Sequence, residues 1–282
     1  MKTKTKIFSL LLFLTPLVTI AQTEGYYLKD EYKPNSTLNV DYRTETILEI
    51  TDITGDENML ERLKSNGFSL PLKAITTQLI ETKIITGAIN SDSSFPVKMT
   101  LLDIHKNISV NDKEIDLPDL STLKGVTINY TCTKDKNFDN LRIESGNVSD
   151  EIKTIFSDVT KGTKYPDKPI HIGDSFQQEM STRIPIPGIV AVNMKIVMIY
   201  QLEKVVENKG YLHITVKMFM TPDDSSYTLN GNGNGEGTLI HDFQEDISPE
   251  VNIGMTMSFA ITKDNLKINS NFGTKTFSKI TY

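Results

Sequence analysis

The segment Gly173-Asp174-Ser175-Phe176 sets a serine beside a carboxylate in a stretch punctuated by Pro166 and Pro169. Such a serine becomes a nucleophile only when a positioned base takes its proton. The four histidines, at 105, 171, 213 and 241, are scattered, and none stands at a metal-ligand spacing from another. Met218-x-Met220 and Met255-x-Met257 could present paired thioethers to a soft ion such as Cu(I), since period two puts both members of each pair on one strand face. Two core positions of any strand show the same spacing, and that reading is preferred. Asn230-x-Asn232-x-Asn234-Gly235 has the opening of a calcium loop. Its twelfth position is His241 instead of the bidentate Glu, and asparagine is a poor substitute for carboxylate. The chain therefore implies no metal and no cofactor.

The run Tyr227 to Leu239 is the hardest to read as scaffold alone. Gly231, Gly233, Gly235 and Gly237 share one parity with Tyr227, Leu229 and Leu239, while Asn230, Asn232, Asn234 and Glu236 share the other. As a continuous strand it is bare on its core side over four positions. Four interior glycines cost about 2–4 kcal/mol relative to alanine, against a typical total stability of about 5–15 kcal/mol. Met194, Met198, Met218, Met220, Met255 and Met257 lie on the apolar parity of the flanking segments, and thioethers suit adaptable apolar surfaces. The expectation is a trough for a hydrophobic small molecule or acyl chain, floored by these glycines and walled by these methionines. The structural alternatives are methionine side chains filling the gap, glycines letting the strand bend or be approached closely, and a flexible loop.

The elements that would position these residues are mainly β. Leu38, Val40, Tyr42, Leu48 and Ile50 alternate with Asn39, Asp41, Arg43 and Glu49. Val190 to Leu202, Leu212 to Met220 and Val251 to Ile261 alternate in the same way, which predicts antiparallel strands with one buried and one wet face. Asn208-Lys209-Gly210 predicts a hairpin turn. Two short helices are expected. One runs from Ser149 as cap to Gly162, with Ile152, Ile155, Phe156 and Val159 on one side; the other covers Glu57 to Asn66 and stops at Gly67. The fold class is thus mainly β, a curved antiparallel sheet or half-open barrel of long strands with one or two short helices over its apolar face. The residues after the leader form a single β-rich domain, 22–282, or alternatively two β-rich halves, 22–148 and 163–282, joined by the helix at 149–162.

Lys2, Lys4 and Lys6 precede an apolar stretch and the small-residue site Thr19-Ile20-Ala21, which predicts a signal peptide over residues 1–21. Ile7 to Ile20 would reach about 21 Å as a helix, short of the roughly 30 Å hydrocarbon core, so no integral membrane segment is expected after cleavage. The expected location is exported, periplasmic or secreted. With 30 Lys and Arg against 36 Asp and Glu the formal charge is −6, and losing the three leader lysines makes the chain more acidic, which disfavours nucleic acid as a partner. The single cysteine, Cys132, shares a parity with Val126, Ile128 and Tyr130 and reads as a buried, inert thiol.

Gly173-Asp174-Ser175-Phe176 resembles the opening motif of the Gly-Asp-Ser-Leu serine lipases and esterases, which implies an α/β fold and a late Asp-x-x-His pair. The surroundings here are β, and His241-Asp242 has the wrong order and spacing. The wider Pro169 to Phe176 turn, Pro-x-x-x-Gly-Asp-Ser-Phe, resembles one in uncharacterised exported bacterial β-sheet proteins. In plan the chain is similar to the periplasmic lipoprotein carriers, a likeness that implies a curved sheet sheltering acyl chains beneath helices. The expected function is an exported, soluble, non-catalytic protein binding a hydrophobic ligand or envelope component. The alternative is a structural outer-membrane β-barrel, to which clean alternation and the terminal Ile280-x-Tyr282 are suited. A serine hydrolase ranks third.

Overall fold

The computed structural model describes residues 25–282 apart from 56, 66, 68, 118–119, 134–137, 144–163 and 186–190. The expected signal peptide and the helix from Ser149 lie outside these residues. The described residues form β1 (Thr37–Thr54), α1 (Glu57–Ser65), β2 (Leu72–Thr86), β3 (Phe95–Val110), β4 (Lys113–Glu114), β5 (Thr127–Cys132), β6 (Phe138–Ile143), β7 (Ser175–Pro185), β8 (Ala191–Val206), β9 (Lys209–Pro222), β10 (Thr228–Asp242), β11 (Ile247–Lys263) and β12 (Leu266–Thr281). The fold is mainly β, as the alternation requires. The strands make one antiparallel sheet in the order β6-β5-β3-β2-β1-β12-β11-β10-β9-β8-β7, with β4 attached to β3. The first and last strands pair in the middle of this path, from Asn39 opposite Thr281 to Thr54 opposite Lys267. Among the described residues β6 and β7 do not pair with each other, so the sheet is curved and open.

Period two explains which face is buried. On β9, Leu212, Ile214, Val216 and Met218 are no more than 1% exposed, whereas Thr215, Lys217, Phe219 and Thr221 on the other parity face solvent. Two apolar clusters lie on the inner face. The larger joins Met194, Met198, Val216, Met218, Leu239, Met257 and Phe259 across β8 to β11; the smaller joins Leu38, Ile84, Met99, Ile128 and Cys132 across β1, β2, β3 and β5. The N-terminal segment is pinned to the segment before β7 by two backbone hydrogen bonds between Tyr26 and Ile170, and its Leu28 enters the larger cluster.

Local chemistry sets the boundaries. Glu207 and Asn208, both at positive φ, form the two-residue turn between β8 and β9, a conformation that matches the twist of the strands. The turn therefore falls before Gly210, which is buried in β9, where an added Cβ would sit 2.8 Å from the Phe243 ring. Helix α1 has Glu57 in its first turn, where the helix dipole favours it, and Gly67 follows it at φ +76° with its N–H bonded to Lys64 O.

Cys132 is 6% exposed within the smaller cluster, on the face of Val126, Ile128 and Tyr130. A membrane-impermeant thiol reagent is expected to leave it unlabelled until denaturant is added. Rapid labelling of the native protein would place β5 out of this register.

Candidate functional site

β10 is a continuous strand, and its glycines face inward opposite Phe259, Met257, Met255 and Ile253 of β11. A side chain added to any of them would collide with its neighbours, although the four glycines themselves are only half-buried. A Cβ on Gly231 would lie 2.4 Å from Phe259 Cβ, one on Gly235 2.3 Å from Gly254 O, and one on Gly237 2.3 Å from Asn252 O. At Gly233 the neighbours are Met218 Cε at 2.6 Å, Met257 Cβ at 2.7 Å and Thr256 O at 2.7 Å. The glycines thus form a crease: β9 and β11, which flank β10, approach each other across it. The methionines belong to the packed interior. Met194, Met198, Met218, Met220 and Met257 are buried, and Met255 is half-buried against the same cluster. Asn230, Asn232 and Asn234 lie on the exposed side of a paired strand, so they do not form a loop that could wrap a calcium ion.

A groove lies mainly on the outer face, and Met218, Gly233, Gly235, Met255 and Met257 also border it. Register aligns three rows across five strands. The first row is Phe219, Asn232, Ser258, Asn271 and Glu49; the second is Lys217, Asn234, Thr256, Gly273 and Ile47; the third is Thr215, Glu236, Gly254, Lys275 and Glu45. Gly254 and Gly273 supply no side chain here. A Cβ on Gly254 would meet nothing within 4 Å, and one on Gly273 would first meet Thr256 Cγ2 at 3.7 Å. The result is a groove in two adjoining parts, of about 720 and about 580 Å³, which share Ile47, Asn234, Thr256 and Gly273. The strands are about 4.8 Å apart, so side chains from β9 to β1 present themselves in regular rows. Ser258 donates to Asn271 Oδ1 at 2.8 Å, and Asn271 Nδ2 donates to Glu49 Oε2 at 3.2 Å, which fixes one wall. Asn232 and Asn234 make no side-chain hydrogen bond among the described residues. Phe219, 48% exposed, forms an aromatic rim.

The Gly-Asp-Ser-Phe segment is a turn entering β7. Asp174 Oδ2 accepts from the His171 backbone N–H at 2.8 Å and lies 3.1 Å from His171 Nδ1. These contacts hold the Asp174 carboxyl below its ordinary range, the backbone hydrogen bond from His171 being the leading cause. Ser175 Oγ makes no hydrogen bond to a base among the described residues. No group of three or more His, Cys, Asp or Glu there could hold a metal ion.

A different serine and histidine do meet. His241 Nδ1 lies 3.3 Å from Ser248 Oγ, which lies 2.6 Å from Tyr165 Oη. Asp30, exposed as a residue, turns its carboxyl toward Ser248 and Tyr165, and loss of water raises it to about 6. His241 is fully buried between the rings of Tyr165 and Phe243, and its Nε2 has no partner among the described residues. The order is wrong for a charge-stabilised nucleophile, since the carboxylate engages the serine and tyrosine instead of the histidine. Three segments far apart in sequence, around Asp30, Tyr165 and the His241–Ser248 hairpin, converge here, and no local spacing signals it.

Burial lowers the His241 pKa from 6.5 to about 4. A base that stays neutral in the fold stabilises it fully above the unfolded-state pKa, and this stability is lost as pH falls from about 6.5 through about 4. Asp30 works in the opposite sense, losing its contribution as pH rises from 3.8 through about 6, but its exposure weakens that effect. The expected result is a wild-type melting temperature that drops between pH 7 and pH 4.5. In His241→Phe, which keeps the ring contacts, the drop should be smaller; an equal drop in both proteins would remove His241 as its source.

No family model and no curated protein matches the chain. Among solved structures it is similar to a crystal structure of an outer membrane channel from Pseudomonas putida F1, at 8% identity and a TM-score of 0.25, covering 90% of this chain and 98% of that one. At that score the likeness carries no argument about fold or function.

Proposed function

We propose that the protein is an exported, soluble, non-catalytic binding protein of the bacterial envelope, and that its ligand lies in the outer groove rather than over the β10 glycines. The observation that carries this reading is the polarity of the two faces. Leu212, Ile214, Val216 and Met218 of β9 and Ile253, Met257 and Ile261 of β11 are packed inside, and Lys217, Asn232, Asn234, Glu236 and Thr256 face outward. A barrel embedded in lipid needs an apolar outer band. An acyl chain in the groove would strip water from Asn232, Asn234, Thr256 and Ser258 and return no hydrogen bond, which supports a polar envelope component over a hydrophobic one. The bonding of Asp174 within its own turn supports a structural role for the Gly-Asp-Ser-Phe segment.

The outer-membrane barrel remains the second reading because the connectivity favours it. The strands form a sequential antiparallel meander with the first and last paired, the arrangement a closed barrel requires. Osmotic shock separates the two. Release with the soluble envelope fraction is the expected result, and retention in detergent-resistant outer membrane would overturn the binding-protein reading.

A further inference from the structure

Resting on the binding-protein reading, the geometry points to a neutral glycan chain as the occupant of the groove over Gly254 and Gly273, with Asn232, Asn234 and Phe219 as its recognition residues. The argument starts from the face of a sheet. Backbone N–H and C=O groups there are spent sideways in the ladders, so side chains must do the recognition. A peptide captured by its main chain needs a free sheet edge or exposed backbone groups, which this floor lacks. The side chains present suit hydroxyls. Each primary amide of Asn232 and Asn234 offers two donors and an acceptor, Thr256 adds a hydroxyl that both donates and accepts, and Ser258, whose proton goes to Asn271, adds an acceptor. An array of sugar hydroxyls, each donor and acceptor at once, can pair with all of them.

Charge narrows the class. Glu45, Glu49 and Glu236 line the two parts together with Lys217 and Lys275, so acidic and basic groups nearly balance and neither a polyanion nor a polycation is drawn in. The exposed Phe219 ring at the rim, beside Asn232, gives the apolar face of a pyranose a surface to stack on while the ring's hydroxyls reach the amides. Ile47 and the two bare glycine positions complete a floor on which flat rings can lie. The groove spans β9 to β1 and is more open than enclosed, which fits a segment of a longer polymer better than a small molecule enclosed on all sides.

The test is calorimetric titration of the purified chain with short neutral oligosaccharides of the cello, xylo, malto and chito series, beside an anionic oligosaccharide and an unstructured peptide. At least one neutral series is expected to bind. Asn234→Leu should weaken that binding about tenfold, the loss of one to two hydrogen bonds, and Phe219→Ala should weaken it by a similar factor. Both residues are exposed, so melting temperatures should not move. Binding of the peptide or the anionic chain alone, or neutral-glycan binding that both variants leave untouched, overturns the inference. So does failure of every neutral series to bind. A protein that fails these titrations and is nevertheless released by osmotic shock loses the glycan assignment and keeps the binding-protein reading.

Discussion

Gly235→Val is expected to lower the melting temperature by about 4–8 °C, even though valine is among the best strand residues. Its Cβ would enter within 2.3 Å of Gly254 O and 2.6 Å of Met255 Cβ, and neither atom can rotate aside. β11 cannot retreat, because Met255 pairs with Thr274 of β12 on its other side. Overpacking costs about 1–3 kcal/mol when side chains absorb it, and contact with backbone belongs at the upper end or beyond. Strand propensity returns at most about 1 kcal/mol. A net loss of about 2 kcal/mol or more, at about 2–4 °C per kcal/mol for a chain of this size, gives the expected shift. Gly233→Val should be somewhat milder, since one of its three close neighbours is the flexible Met218 Cε. An unchanged melting temperature for Gly235→Val would mean that β10 and β11 are not creased together.

Alternation made the sheet legible because burial on one face imposes period two on every strand that shares it. Leu212 to Met220 and Val251 to Ile261 carry their buried parity openly, and both lie in the core as that pattern demands. Curvature is invisible to the same reading. Parity says that Gly231 to Gly237 share a face, but whether the face is hollow depends on how sharply β10 folds against β11, and no residue of β10 alone encodes that angle. The glycines that do open space, Gly254 and Gly273, stand singly in strands that otherwise look ordinary. Their meaning comes from register: Glu236 opposite Gly254 opposite Lys275, and Thr256 opposite Gly273 opposite Ile47, are alignments between strands that a single sequence does not print. The His241 cluster was illegible for a related reason: His241 and Ser248 face each other across one hairpin, but Asp30 and Tyr165 reach them from distant segments.

Gly254→Leu should have the opposite character from Gly235→Val: ligand binding in the outer groove is lost and the fold is unharmed. The two residues occupy adjacent strands and opposite faces, so the pair separates inner crowding from outer space. An added Cβ on Gly254 meets nothing within 4 Å, and the residue does not sit at positive φ, so leucine carries neither a clash nor a backbone penalty there. Replacing an interior strand glycine recovers about 0.5–1 kcal/mol, enough to leave the melting temperature level or slightly raised. Beyond Cβ the side chain must occupy the floor between Thr215, Glu236 and Lys275, in the part of the groove that adjoins Asn234. A ligand lying on that floor then meets an isobutyl group where it had room, and its hydroxyls face a surface that cannot hydrogen-bond. Affinity for whichever oligosaccharide binds the wild type should fall by about tenfold or more, with Gly254→Ala intermediate. Unimpaired binding by a well-folded Gly254→Leu would move the ligand off this floor, and a marked fall in its melting temperature would show that the space above Gly254 is not open.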